Sequence, residues 1–516
     1  MAKHDDAASS APSGTTHTNA PNPLFGRQRD DLFAFHEPEG ASRLKRWFLG
    51  APGPLFGAIL ALVLTYAFKD VHMHITVART IIAIGNLYFR AMECVVMPLA
   101  FIDIILNVAE FTHSFRTHRL RWHTLGLALL TTGLAIGQAF TWEALVGTEL
   151  DGARYVYIEL PFMELQCPSA NNASLYLQSD PVTGRMACGA QDNSTTFYIG
   201  DHVFPVLSGL IRRKDYANAG DELQSAVADL IPSNIFQAFI AHNLLSLATF
   251  ALLIGVALGL SGKNQGSDAT NRLRHTLIEA SATLETMLSY IITVTPIAMV
   301  PMITGPIFAR THTLSSVFPR LGIYAGVYVA GAAIHTFVIL PLVSAIFTAS
   351  SPLRFLRATK EALWYGFGSG SSRKTLPVTM RCLDPHVSNR VACRAALKVG
   401  NCFNKNGGAF HIALSLIWIF HDAGLKFMLT PVKMVVIAVC ALLGSMCVAP
   451  VRNGAVPVVI VIFTTLTDLP TPYAYSYLMI AETFIDPIST VMNVLGNAVV
   501  AHIVGRQTTP TTMFAI

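Results

Sequence analysis

The sequence predicts an all-α protein that crosses a membrane several times. The chain has 516 residues, of which 52% are hydrophobic and only 13% charged, whereas soluble domains carry about a quarter charged residues. Several apolar stretches reach or approach the roughly 20 residues that a helix needs to span a bilayer. They are 52–68, 80–108, 124–146, 235–260, 284–307, 321–347, 391–420, 432–466 and 473–504. A membrane is therefore the expected solvent for most of the chain.

Polar residues interrupt two of these stretches. One contains Asn-Cys-Phe-Asn-Lys-Asn-Gly-Gly at 401–408, and the other contains Ala-Pro-Val-Arg-Asn-Gly at 449–454. Backbone that leaves the helix inside a bilayer persists only where it is buried in protein or lines a cavity, because no water satisfies its amides. Interrupted helices of this kind surround solute and ion sites in many transporters. Two ordinary spans joined by a surface turn remain the alternative on composition alone.

Composition and motifs argue against several classes of function. The formal net charge of +5 is small, and no basic block is interleaved with aromatic residues, so no nucleic-acid partner is expected. The sequence shows no nucleophile–base pair, phosphate-binding loop or close cysteine pair. We therefore predict neither an enzyme nor a metal site, and no cofactor.

Charge and loop composition predict an orientation in the membrane. Residues 1–50 are predicted to be a disordered cytosolic tail, because the segment is rich in small polar residues and proline. Basic clusters flank the first, second, fourth and sixth apolar stretches, which places both termini, including the tail 507–516, in the cytosol. The polar loop of about 150–230 then lies outside. It carries two glycosylation acceptors, Asn172 and Asn193, and an oxidising exterior favours a disulfide between Cys167 and Cys188.

Three motifs resemble one transporter family. Residues 366–381 read Gly-Phe-Gly-Ser-Gly-Ser-Ser-Arg-Lys-Thr-Leu-Pro-Val-Thr-Met-Arg, which resembles the serine-rich first re-entrant hairpin of the glutamate and neutral amino-acid transporters. The run Asn-Lys-Asn-Gly-Gly at 404–408 falls where that family has Asn-Met-Asp-Gly-Thr, and residues 486–497 resemble its last helix. Weaker similarities extend over about 52–506. The resemblance implies a divergent eukaryotic member of this family, most simply in the plasma membrane.

The resemblance also implies a fold and a division of the chain. The glutamate-transporter fold has eight transmembrane helices plus two re-entrant helical hairpins, assembles as a homotrimer in lipid, and moves solute by an elevator-type motion. Scaffold helices 1–2 would occupy 51–123, transport-domain helix 3 would occupy 124–147, and scaffold helices 4–5 with the outer loop would occupy 148–315. Residues 316–506 would complete the transport domain with helix 6, hairpin 1, helix 7, hairpin 2 and helix 8.

Substrate residues follow from the same resemblance. The family aspartate that binds the substrate amino group matches Asp486, and Thr490 and Asn493 follow it along one helical face. Ser489 stands where acidic-substrate members have an arginine, and Gly408 stands where they have a threonine. A serine hydroxyl cannot replace a guanidinium, so a neutral solute is expected. The predicted substrate-binding residues are Ser371, Ser372, Gly408, Asp486, Ser489, Thr490 and Asn493.

The positions that couple transport to ions depart furthest from the family. Sodium is a hard cation that requires oxygen ligands and compensating charge, yet Asn406 and Asn497 replace the two family aspartates. Lys405 replaces a methionine. Two interpretations are open: its ammonium takes the role of a bound cation in a sodium-independent carrier, or it points into solvent and the site no longer couples. His411 and Glu482 are protonatable, so a proton also remains possible. The predicted coupling-ion or surrogate-cation residues are Thr131, Thr132, Asn404, Lys405, Asn406 and Asn497.

Cationic residues are expected at the tips of both hairpins. The predicted gate tips are Arg373, Lys374, Pro450, Arg452 and Gly454. Their charges either attract or conduct anions or are solvated at the hairpin mouth. The predicted function is secondary transport of a small amino acid or related organic solute. The alternatives are an anion channel or uncoupled exchanger on the same fold, and a transport-inactive membrane protein that serves interactions.

Overall fold

A computed structural model describes most of the chain from residue 52 to residue 508. The described residues are 52–68, 74–114, 118–152, five short strands between 162 and 198, 219–264, 272–308, 314–449, 454–467, 469, 472 and 474–508. The predicted tail 1–50, both glycosylation acceptors Asn172 and Asn193, and the tip residues Pro450 and Arg452 lie outside them. The described part is helical apart from the strands and short connections, which confirms the all-α prediction.

The chain up to residue 308 contains eight of the helices that the structure describes. They are α1 (Pro52–Ala67), α2 (Ile75–Ser114), α3 (His118–Val146), α4 (Ala219–Ala228), α5 (Ile235–Ile240), α6 (Leu244–Asn264), α7 (Arg272–Thr293) and α8 (Thr295–Phe308). A 3₁₀ turn, Gly147–Leu150, follows α3.

Short strands lie in the loop between α3 and α4. They are β1 (Phe162–Met163), β2 (Gln166–Cys167), β3 (Leu175–Ser179), β4 (Met186–Gly189) and β5 (Phe197–Tyr198). β1 pairs with β5, and β3 lies between β2 and β4; all of these pairs are antiparallel. Cys167 and Cys188 are joined by a disulfide, the pair that the sequence analysis predicts.

The chain from residue 314 onward carries the hairpins and the broken helix. Its helices are α9 (Leu314–Ile334), α10 (Leu340–Thr348), α11 (Pro352–Ser369), α12 (Ser372–Leu383), α13 (Arg390–Phe403), α14 (Asn406–Asp422), α15 (Pro431–Cys447), α16 (Ala455–Thr467) and α17 (Ala474–Gln507). A π-helical turn, His335–Ile339, joins α9 to α10. α11 packs against α12, and α15 packs against α16. These two pairs are called hairpin 1 and hairpin 2.

Length and hydropathy support a polytopic membrane protein. Five stretches of the described helices are long and apolar enough to cross a bilayer: Thr76–Thr112, Leu120–Leu150, Leu244–Ser261, Phe318–Thr348 and Ala474–Gln507. α7 and α8 are bent by 57° at their junction and make a sixth if they form one span. α15 and α16 are shorter apolar helices, as is Gly53–Ala67. The predicted total of eight spans is not established by these lengths.

Two apolar stretches that the sequence predicts as continuous are broken. The stretch 235–260 is divided between α5 and α6, and His242 between them has a φ of 54°. The stretch 284–307 breaks at Val294, because Pro296 has no backbone N–H and suits the first turn of a new helix. The predicted interruption at 401–408 is narrower than expected, since only Asn404 and Lys405 leave the helix.

The helices pack in two groups. α2 packs against α6, α7 and α8, and α8 packs against α1; these five helices are called the first group. α17 packs against α3, α9, α10, α11, α12, α13, α14 and α16, and with α15 these helices are called the second group. Every residue of α14 is buried. The interrupted helix therefore lies at the centre of the second group, where its backbone is shielded from lipid.

Candidate functional site

The break between α13 and α14 exposes the first turn of α14 to side chains of α17. The first N–H groups of a helix have no partner within the helix. Here the Gly407 and Gly408 N–H groups donate to Asn493 Oδ1 at 2.9 and 3.4 Å. The Asn493 carbonyl oxygen is thus occupied, and its amide N–H₂ is the part that can donate to a solute.

Close backbone packing holds this turn against α17. A Cβ at Gly407 would lie 2.1 Å from the Ser489 carbonyl oxygen, so a glycine is required there. A Cβ at Gly408 would meet only ordinary contacts, with Ser445 Cβ nearest at 3.6 Å. Lack of space therefore does not explain why position 408 has a glycine where the family has a threonine.

Hairpin 1 brings its serine-rich tip to the same region. Gly370 ends α11 with a φ of 57°, and the ideal position of a Cβ on it lies 3.9 Å from Asp486 Oδ2. Ser371 caps α12 by accepting a hydrogen bond from the Lys374 N–H at 3.4 Å, and it is buried. The structure thus places the Asp486 carboxylate beside the hairpin 1 tip. Ser372 begins α12 and is half-buried.

The remaining predicted substrate residues lie on α17 around Asp486. Ser489 and Thr490 are buried, and Asn493 is half-buried. The Thr490 hydroxyl donates to the Asp486 backbone carbonyl at 3.1 Å, which leaves its oxygen lone pairs available as acceptors. Asp486, Asn493 and the first turn of α14 therefore border one region with the hairpin 1 tip.

Four of the six predicted ion residues, Thr131, Thr132, Asn404 and Asn406, form a buried cluster of uncharged, hydrogen-bonded side chains. Thr131 donates to Asn404 Oδ1 at 2.9 Å. Thr132 lies within hydrogen-bond distance of Asn404 Oδ1 at 3.1 Å and Asn406 Oδ1 at 3.0 Å. Asn406 Nδ2 lies 3.5 Å from His335 Nε2 in the π-helical turn. Sequence reasoning missed His335, although a histidine within an apolar stretch was visible.

These residues do not fit a sodium ion held as in the family. The oxygens of Asn404 and Asn406 accept hydrogen bonds from threonine hydroxyls, and none of the six predicted ion residues carries a carboxylate. Asn497 Oδ1 is a buried oxygen without a hydrogen-bond partner, 2.8 Å from the ideal Cβ position on Gly400. One amide oxygen supplies no compensating charge for a hard cation.

Lys405 has a defined place inside the protein. Its side chain is buried, and Nζ donates to the Val448 carbonyl oxygen at 2.9 Å. Val448 caps the C-terminus of α15, where unpaired carbonyls give the helix end a partial negative charge. The ammonium therefore contacts hairpin 2 and does not point into solvent.

Arg373 contacts the first group of helices. Its Nη1 lies 3.3 Å from Glu285 Oε1 on α7. Asp103 on α2 accepts a hydrogen bond from Ser281 at 2.8 Å and interacts electrostatically with both Arg373 and Lys405. Sequence reasoning missed Asp103 and Glu285. Carboxylates within apolar stretches are themselves a signal for a functional or paired group.

The structure also describes two other predicted gate residues and the two protonatable residues. Lys374 is exposed, and Gly454 is buried immediately before α16. His411 and Glu482 form a buried pair with Nε2 and Oε2 2.8 Å apart, so the two residues that the sequence left as separate protonatable groups are in contact.

Comparisons with known proteins identify the family of this chain. The profile of the sodium:dicarboxylate symporter family matches residues 198–507. The chain belongs to this family. It is 26% identical over 430 residues to the human neutral amino acid transporter B(0), covering 80% of this chain and 71% of that protein.

Other relatives align over a shorter region. An excitatory amino acid transporter of Onchocerca volvulus is 28% identical over 267 residues, which is 51% of each chain. Mouse excitatory amino acid transporter 5 is 28% identical over 270 residues, 51% of this chain and 46% of that protein. The chain thus spans about half the length of these two relatives. All three relatives are transporters and not enzymes, which supports the prediction that the chain is not an enzyme.

Proposed function

We propose that this protein is a secondary transporter of a small neutral amino acid or a related organic solute, in which Lys405 takes the place of a coupling sodium ion. The contact between Lys405 Nζ and the Val448 carbonyl carries this proposal. The family relatives named above support amino acids as the solute class.

The geometry suits a zwitterion with an uncharged side chain. Asp486 offers a carboxylate to the ammonium of the solute beside the hairpin 1 tip, and the Asn493 amide N–H₂ donates to its carboxylate. Ser489 offers a hydroxyl in place of a guanidinium fork, so a second carboxylate on the solute has no bidentate partner there. Ser371, Ser372 and Thr490 add hydroxyls at the border of this region.

Lys405 reproduces what a bound cation does for hairpin 2. A cation next to the C-terminal carbonyls of α15 stabilises that helix end, and it holds the hairpin against the broken helix. Because the ammonium is covalently attached, it remains at the site whether or not sodium is present. The neutral cluster of Thr131, Thr132, Asn404 and Asn406 is consistent with a site that has lost its ion. Exchange of solute without sodium follows.

The transport cycle is the family's elevator-type motion. The second helix group, with both hairpins, corresponds to the transport domain 124–147 and 316–506. The first group corresponds to the scaffold of a homotrimer in the plasma membrane. Both termini are cytosolic in this proposal, and the loop with Asn172, Asn193 and the Cys167–Cys188 disulfide is external.

Reconstituted protein tests the proposal directly. Liposomes loaded with a mixture of neutral amino acids are assayed for uptake of each labelled amino acid, with sodium or with choline on both sides. Saturable exchange at equal rates in the two salts is expected. Accumulation driven only by a sodium gradient would contradict the role of Lys405.

The same liposomes separate the rival functions. Anion currents without solute exchange would support a channel, and neither current nor exchange would support a transport-inactive protein. Asp486→Asn serves as the matched control, since loss of exchange in that variant shows that flux passes through the proposed site.

A further inference from the structure

Four charged residues face each other across the boundary between the two helix groups. Glu285 on α7 and Asp103 on α2 belong to the first group. Arg373 on α12 and Lys405 before α14 belong to the second group. Arg373 Nη1 and Glu285 Oε1 are 3.3 Å apart; Asp103 attracts both cations, and the two cations repel each other. The two acids and two bases have a formal sum of zero.

Burial makes this arrangement sensitive to separation of the groups. Asp103 is 4% exposed, Glu285 is 9% exposed and Lys405 is 8% exposed. Truncating one member of a buried pair leaves the other uncompensated, whereas replacing both members by neutral groups is often tolerated. Sliding the two groups apart has the same effect on Arg373 and Glu285 as truncation, because each of them then loses the other.

We propose that the Arg373–Glu285 pair, reinforced by Asp103, is a latch between hairpin 1 and the scaffold. The latch sets the rate at which the transport domain moves away from the position that it has in this structure. The inference rests on the proposed function, because it assumes that the second group moves relative to the first. The inference assigns Arg373, one of the two cationic residues at the hairpin 1 tip, to contact with the scaffold. The charge of Arg373 is compensated, so it is not available to attract an anionic solute.

Paired substitutions test the latch. The double variant Arg373→Gln with Glu285→Gln removes both charges of the ion pair, so neither is left without the other. We expect it to exchange solute faster than the parent by about tenfold, the change that 1.4 kcal/mol produces. Glu285→Gln alone removes the acid that pairs with Arg373 and is expected to be slower than the double variant.

Hairpin 1 provides the matched control. Arg381 and Glu361 form an exposed ion pair between its two helices that does not reach the scaffold. Exposed pairs contribute little to stability, so Arg381→Gln with Glu361→Gln is expected to exchange at the parental rate. An unchanged or slower rate in the Arg373–Glu285 double variant would overturn the latch.

A cross-link tests the same separation without relying on charge. Cysteines introduced by Glu285→Cys and Arg373→Cys are joined in liposomes by a reducible bifunctional thiol reagent, because two long side chains that meet at their tips leave their Cα atoms too far apart for a direct disulfide. The parent is treated identically because it has free cysteines of its own. Cross-linking is expected to stop exchange in the variant only, and reduction is expected to restore it. Full exchange by the cross-linked protein would show that the residues never separate.

The outcomes distinguish the two proposals. If the parent exchanges solute and the variants show no specific change, the latch is wrong and the proposed function stands. If the parent exchanges no solute, the proposed function is wrong, and the latch is wrong with it.

Discussion

A cationic side chain contacts a partner at each hairpin, but the two contacts join different parts of the molecule. Arg373 of hairpin 1 reaches outward to Glu285 on α7, a side chain of the other helix group. Hairpin 2 instead receives Lys405 from the broken helix, through a backbone carbonyl within its own group. A contact inside one group can persist while that group moves, whereas a contact between groups must break. We therefore propose that Lys405 serves closure of the site around the solute and that Arg373 serves selection between transport states.

The largest expected effect lies where the hairpin 1 tip meets α17. Asp486→Asn keeps the size of the side chain but removes the charge proposed to bind the solute ammonium. Losing one partner of a buried charged hydrogen bond costs about 2–5 kcal/mol, so exchange should fall at least about thirtyfold. Solute-dependent thermal stabilisation of purified protein checks the result. Retained stabilisation would remove Asp486 from the solute site.

An intermediate effect is expected at the contact of hairpin 2. Lys405→Ala removes a hydrogen bond from a charged donor, which is worth about 1.5–3 kcal/mol. The apparent affinity for solute should fall about ten- to hundredfold, because hairpin 2 loses the contact that favours its closed position. Lys374→Ala is the control, since that lysine is exposed on hairpin 1. Equal effects of the two substitutions would remove the distinction between the hairpins.

The smallest expected effects concern the glycines between the hairpins. Gly407→Ala places a methyl group 2.1 Å from the Ser489 carbonyl, and such overpacking costs about 1–3 kcal/mol. Gly408→Ala meets ordinary contacts, and because alanine favours a helix over glycine it should leave stability unchanged or raise it by up to about 1 kcal/mol. Thermal unfolding of the two variants in detergent measures the difference. A Gly408→Ala variant as unstable as Gly407→Ala would contradict the packing of α14 on α17.

Particular residues show which parts of the fold and of the candidate site could be predicted from the sequence. The interruption at 401–408 predicts a broken helix because polar backbone is costly in a bilayer, and the break is found at Asn404 and Lys405. The break at Val294 was missed, since apolar residues continue through it and only Pro296 marks it. An asparagine side chain can both donate and accept, and only the fold shows that the Gly407 N–H commits the oxygen of Asn493.

Long-range pairings were beyond the sequence. Arg373 and Glu285 are 88 residues apart, and no periodicity within either segment reveals their contact. The target of Lys405 is a backbone carbonyl, which any residue at position 448 would supply. Residue identity therefore cannot indicate it, and both interpretations of Lys405 were open until the fold brought α15 to the broken helix.

The sodium dependence of one triple variant tests the central claim most directly. Lys405→Met, Asn406→Asp and Asn497→Asp together remove the attached ammonium and restore the family's two carboxylates. Exchange is measured in sodium and in choline for the parent and the triple variant, with Asn406→Asp plus Asn497→Asp as the control that keeps Lys405. The account predicts a parent that ignores sodium and a triple variant that requires it. A triple variant that exchanges solute equally well in choline would show that Lys405 does not stand in for a sodium ion.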